Sequence, residues 1–129
     1  MKIAVAASGR DLEAAAEPRF GRCAYFVIVD SETGEFSAIE NPGAAAGGGA
    51  GIAAAQAVAR AGAQVVIAGN YGPNAYQALS AGNIEAYVSP GGTVREVVEA
   101  YKAGQLQRVT QSTVPPHFGM GRGGRGRSM

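Results

Sequence analysis

The chain has 129 residues, 47% apolar and 16% charged, which suits one domain with a buried core and excludes disorder of the whole chain. Eleven Lys and Arg face ten Asp and Glu, a formal charge of +1, and this balance argues against a body built to grip nucleic acid or an acidic membrane. One cysteine excludes an internal disulfide framework and a four-cysteine metal site; no apolar run approaches the ~20 residues that span a bilayer, and the N-terminus lacks the layout of a signal peptide, so a soluble, cytoplasmic protein is expected.

The elements follow in chain order. Residues 3–7 are a short apolar run ending at Ser8 and Gly9, the pattern of a buried strand. Residues 25–29 are aromatic and β-branched, residues 30–34 carry turn chemistry, and residues 35–40 supply a partner strand, so a hairpin is predicted. After Asn41, Pro42 and a glycine-rich loop, residues 50–61 are Ala-rich and stop at Gly62, a good residue to end a helix. Residues 64–68 read as a buried strand. Residues 69–72 turn the chain, Pro73 suits a first helical position, and that helix stops at Gly82. Residues 84–88 read as another strand. Thr93 and Glu96 make a capping box, and Val94, Val97, Val98 and Tyr101 fall at i, i+3, i+4 and i+7, so the last helix has one apolar face. Gly104 closes it. Pro115 and Pro116 mark a boundary. Residues 117–129 have three arginines, no acid and no periodicity. The expected division is therefore one α/β domain over residues 1–108 and a flexible Gly/Arg-rich tail over residues 109–129. Without the tail's three arginines the formal +1 becomes −2, so the compact part is mildly acidic.

The order β-β-β-α-β-α-β-α implies parallel strands joined by right-handed crossovers, with the hairpin adding one antiparallel strand. The compact solution is a five-stranded mixed sheet of order 3-2-1-4-5, strand 2 antiparallel, with helices on both faces. Residues 8–23, 41–51, 69–74 and 89–93 then meet at the C-terminal rim of the sheet, where open α/β sheets bind ligands. Three of these loops present helix N-termini, which favour anions. Arg10, Arg19, Arg22 and Cys23 add positive charge and a soft ligand, a combination suited to a small anion, with or without a metal.

Individual motifs are weaker. Gly49-Ala50-Gly51-Ile52-Ala53-Ala54 matches G-x-G-x-x-A, but an eight-residue loop separates it from the preceding strand and no acid follows near Gly69 and Asn70, which argues against a dinucleotide. No Lys-Ser/Thr follows the glycines, which excludes a P-loop. A flexible loop feeding a helix and an anion-binding loop remain equal readings. Cys23 has two readings as well: a buried core cysteine, favoured by chemistry alone, or a thiolate supported by Arg19 and Arg22. The sole histidine, His117, lies in the tail, where no rigid base can be held. The carboxylates suggest solvated surface, and the first strand has no acid for a two-metal nuclease. The tail resembles Arg-Gly segments that contact RNA, but three arginines give few phosphate contacts, and a solubilising or partner-contacting role is preferred.

Four segments occur together in order: Arg19-Phe20-Gly21-Arg22-Cys23-Ala24-Tyr25-Phe26, Glu40-Asn41-Pro42, Gly47-Gly48-Gly49-Ala50-Gly51, and Gly69-Asn70-Tyr71-Gly72-Pro73-Asn74-Ala75. As a set they resemble the dinitrogenase iron–molybdenum cofactor biosynthesis family, which includes NifX, NafY and the C-terminal domain of NifB, over about residues 1–106. The resemblance implies a three-layer α/β/α, ribonuclease H-like fold without nuclease activity. It also implies a non-enzymatic carrier that transiently holds an iron–sulfur or iron–molybdenum cluster precursor. The family often has His before Phe-Gly-Arg-Cys, where this chain has Arg19. Carried onto this sequence, the cofactor-binding residues are Arg19, Phe20, Gly21, Arg22, Cys23, Gly48, Gly49, Gly51, Asn70, Gly72 and Asn74, with Cys23 and His117 as metal ligands. The remaining ligands would come from a second chain, as in a homodimer, from the cluster's bridging atoms or from exogenous thiols. Cluster donor and acceptor proteins are the implied partners; nucleic acid and membrane are not. The alternative is a small-anion or partner-binding regulatory module with no metal.

Overall fold

A computed structural model describes residues 1–45 and 48–111. The strands are β1 (Lys2–Ala7), β2 (Tyr25–Asp30), β3 (Phe36–Glu40), β4 (Ala63–Ala68) and β5 (Glu85–Val88). The helices are α1 (Ala50–Arg60), α2 (Pro73–Ala81) and α3 (Val94–Lys102), with a short 3-10 turn at Pro42–Ala45. The sheet order is β3-β2-β1-β4-β5. β2 is antiparallel to both its neighbours, whereas β1, β4 and β5 run parallel. The architecture and strand order expected from the sequence are the ones observed.

The alternation of side chains along the central strands explains the layers. On β1, Ala4 and Ala6 face one side while Ile3, Val5 and Ala7 face the other. The alanine side receives α1 and α2, themselves Ala-rich at Ala54, Ala55 and Ala75, so these helices approach closely. The Ile/Val side receives α3 through Val94, Val97 and Val98. Each of those buried valines contributes about 1.5–3 kcal/mol. That exceeds the ~1 kcal/mol of a helix cap, so packing rather than capping holds α3 in place. Cross-strand pairs Ile3↔Val29 and Val5↔Val27 fix the β1–β2 register on the same side.

Two connections matter for the site. Residues 8–24 cross the C-terminal end of β1: Leu12, Ala14 and Ala16 pack on the α3 side, and Phe20 and Cys23 on the α1/α2 side. After α3 the chain returns along β5, with Val88 N–H donating to Gln107 O at 2.9 Å and Val109 N–H to Ala86 O at 2.8 Å. This segment covers the outer edge of β5. Val109 is buried there, one residue beyond the domain end expected at 108. The rest of the expected tail, from residue 112 onward and including His117, lies outside the described residues.

Candidate functional site

Three of the four rim loops line one cavity, and hydrogen bonds between distant segments bring them together. Asn70 N–H donates to Pro18 O at 2.7 Å and Phe20 N–H donates to Asn70 O at 3.3 Å, so residues 18–20 continue the β1–β4 pairing beyond the strands. Phe20 anchors this segment, its ring centroid 5.2 Å from Phe26 and 5.4 Å from Tyr71. Tyr71 in turn donates its hydroxyl to Tyr87 O at 2.7 Å, and burial pushes its pKa well above the usual phenol value. The α1 and α2 N-termini pack against each other at Gly51, where a Cβ would stand 2.7 Å from Ala75 Cβ. Only glycine permits this approach.

Between these segments lies a cavity of about 260 Å³. It is lined by Arg19, Phe20, Gly21 and Arg22 from the first loop, Gly49 and Gly51 from α1, and Asn70, Gly72 and Asn74 from the α2 turn. Gly48 is exposed outside the lining. A larger groove of about 650 Å³, with Met1, Tyr87 and Tyr101 in its wall, lies toward the start of β1 and contains no helix N-terminus.

The donors at the cavity are backbone amides and guanidinium groups. Neither Gly49 nor Gly72, the N-caps of α1 and α2, makes a side-chain cap. Among the described residues, the N–H groups of Ala50, Gly51 and Ile52, and of Asn74 and Ala75, have no protein partner. Each helix start carries roughly half a positive charge, so two side by side favour an anion. Arg19 is exposed and has no ion-pair partner among the described residues. Arg22 Nη1 reaches Gly43 O at 3.5 Å.

The fourth loop pairs with the first, Ala16 N–H donating to Gly92 O at 2.8 Å, but it does not line the cavity. Residues 89–93 lead to α3 on the other face, and the start of α3 is fully occupied. Thr93 Oγ1 accepts from Glu96 N–H at 3.1 Å, and Glu96 Oε1 accepts from Thr93 N–H at 2.9 Å. Val94 and Arg95 N–H donate to Ala14 O and Leu12 O, both at 2.9 Å. The expectation of three helix N-termini open at the rim is therefore corrected to two: a capping box and residues 12–14 use up the third.

Cys23 is a buried thiol rather than an exposed thiolate. It is 1% exposed and absent from the cavity lining. Its Sγ donates to Phe20 O at 3.5 Å and lies 3.6 Å from Asn41 Nδ2. Burial pushes its pKa up to about 12, so the thiol is protonated at neutral pH. Of the two sequence readings of Cys23, this geometry is that of the core cysteine. Among the described residues no group of three or more His, Cys, Asp or Glu side chains is placed to hold a metal ion.

The residue that sequence reasoning left without a role is Asn41. It is 5% exposed, and its Nδ2 donates to Gly21 O at 3.1 Å and Cys23 O at 2.8 Å while Oδ1 accepts from Gly43 N–H at 2.9 Å. Its position between a strand and a proline was the available signal, since Asn favours such side-chain-to-backbone turns.

The model of the dinitrogenase iron–molybdenum cofactor family matches residues 1–104. The chain belongs to this family. The match includes every cavity residue and stops short of the segment that covers the β5 edge. An uncharacterised protein of Methanocaldococcus jannaschii is 32% identical over 111 residues, spanning 84% of this chain and 91% of that protein. The apo form of the orange protein from Desulfovibrio gigas is similar in structure, with a TM-score of 0.84 and 38% identity over 87% of this chain and 95% of that one. A candidate NifB protein from Thermotoga superposes with a TM-score of 0.76 and 35% identity, covering 87% and 96% of the two chains. The family resemblance seen in the four sequence segments is thus borne out. Among the described residues no helix is long and apolar enough to cross a membrane.

Proposed function

We propose that this protein is a non-enzymatic carrier that holds an anionic iron–sulfur or iron–molybdenum cluster precursor as transient cargo in the cavity between the α1 and α2 N-termini. The observation that carries the reading is the pair of adjacent helix starts whose amides have no protein partner, flanked by Arg19 and Arg22. Such donors match the negative surface of a sulfide-bridged cluster and hold it by charge and hydrogen bonds, without requiring a full set of protein–metal bonds. Membership of the cofactor family supports a cluster as the anion. The Desulfovibrio gigas relative is described in an apo form, so that protein takes a ligand. Cluster donor and acceptor proteins are the partners this role requires.

Direct ligation by Cys23 belongs to the same proposal only if residues 19–23 open, because the thiol lies beneath them. His117 as a second ligand is a separate expectation from the tail. A second reading, a small-anion regulatory module with no metal, is favoured by the same donor set, since amides and guanidinium groups hold any compact oxyanion.

Anaerobic purification with metal analysis, followed by reconstitution with iron and sulfide and visible absorbance, separates the two. The carrier reading expects bound iron and a cluster absorption band in the wild type, lost in Gly51→Val, whose side chain meets Ala75 and forces the two helix starts apart. A wild-type protein that takes up no iron, yet gains thermal stability with phosphate or molybdate, would favour the module.

A further inference from the structure

The contacts of Asn41 point to a role in the site beyond local turn formation. The orientation of its amide is fixed by its surroundings: two carbonyls face Nδ2 and one N–H faces Oδ1, so a flipped amide would meet three like groups. Both Nδ2 hydrogens are therefore committed. The backbone is committed too, with Asn41 N–H donating to Ala24 O and Asn41 O accepting from Ala44 N–H, each at 3.1 Å. Next to it, Gly43 sits where any Cβ would collide with Ala50 O and Gly21 O. Residues 20–23, the 3-10 turn and the first residue of α1 thus meet at one junction, and its buried polar side chain is Asn41.

We propose that Asn41 is a positioning latch: it clamps the wall formed by residues 19–23 against the start of α1, sets the width of the anion cavity, and seals the Cys23 thiol beneath that wall. The effect on cargo rests on the carrier reading above; the seal on Cys23 does not. With the latch released, residues 21–23 lose both side-chain tethers. What then holds the segment is Phe20 N–H on Asn70 O, Cys23 N–H on Arg19 O within the segment itself, the Arg22 side chain, whose Nη1 reaches Gly43 O at 3.5 Å, and the flanking backbone bonds of Pro18 O with Asn70 N–H and Ala24 O with Asn41 N–H.

The test is alkylation of Cys23 by N-ethylmaleimide at pH 8 under native conditions, followed by mass spectrometry. Cys23 is the sole thiol, so all labelling reports on it. Asn41→Asp keeps the shape and the acceptor for Gly43 N–H but removes both donors and turns a carboxylate toward two carbonyls. Val98→Ala, a buried α3 position on the far side of the sheet, serves as a comparator for general loss of stability. Asn41→Asp is expected to label at least about tenfold faster than the wild type, and faster than Val98→Ala even where their melting temperatures match. Its iron uptake on reconstitution is expected to fall. Labelling no faster than in Val98→Ala overturns the latch, even if the wild type takes up a cluster. Fast labelling in Asn41→Asp with no iron uptake by the wild type sinks the carrier reading and leaves the latch standing. Should Asn41→Asp fail to fold, Gly43→Ala strains the same junction while keeping Asn41, and the same acceleration is expected of it; labelling at the comparator's rate there also overturns the latch.

Discussion

The start of α3 and the starts of α1 and α2 present the same backbone chemistry with opposite outcomes. Every helix begins with N–H groups that no residue of the helix can accept. At α3 they are met from within: Thr93, Glu96, Leu12 and Ala14 supply an acceptor for each in turn. At α1 and α2 the caps are glycines, no side chain reaches back, and the two starts are pressed together at Gly51 and Ala75. Leaving such donors without protein partners costs stability unless water or a ligand meets them. The first arrangement stabilises the fold, and the second keeps its donors available at the rim of the sheet. A helix N-terminus therefore gains functional meaning only after its acceptors have been counted.

The largest expected effect is at the close approach. Gly51→Val forces α1 and α2 apart, and a loss of about 1–3 kcal/mol is expected in urea unfolding, together with loss of cluster uptake. Thr93→Ala is the counterpart on α3. It is expected to cost about 1 kcal/mol in the same measurement and to leave uptake unchanged, so equal uptake losses in the two variants would erase the distinction between these helix starts.

Alkaline pH probes the buried thiol next to the cavity wall. The Cys23 thiol is raised from 9.0 to about 12 in the folded protein. Between these values the unfolded chain releases a proton that the folded chain retains, so stability falls as pH rises from about 9 towards 12. Below pH 9 this contribution is fully present. Cys23→Ala is expected to flatten that part of the pH profile in thermal melts, and an unchanged slope would mean the thiol is not buried in solution. The smallest effect on stability is at Arg19→Ala: a change within about 0.5 kcal/mol, because Arg19 is exposed and unpaired among the described residues. Its effect belongs to binding, as a weaker hold on an anion whose deficit shrinks as salt is raised.

The sequence was most legible where local chemistry decides. Helix α2 begins at Pro73 and ends at Ala81 as its proline and Gly82 require, and the capping box at Thr93 and Glu96 is formed. The short apolar run at residues 3–7 foretold a buried strand, and β1 is buried from Ile3 to Ala7 at the centre of the sheet. Less legible was anything fixed by contacts between distant residues. The pairing of Pro18 and Phe20 with Asn70 decides which loops meet, and nothing near Pro18 announces it. Residues 12–14 occupy the α3 start from some eighty positions away, so one expected anion site vanished. Cys23 lies between an arginine and a strand, which reads equally as rim or core. Its burial depends on the side chain of Asn41, eighteen residues later.

Amide chemical shifts measured by NMR during titration with molybdate, a diamagnetic oxyanion, test the central claim most directly. The account expects the resonances of Ala50, Gly51, Ile52, Asn74 and Ala75 to move together with one affinity, while Val94 and Arg95 stay fixed. Shifts centred on the start of α3, or scattered over the surface with no saturation, would contradict it.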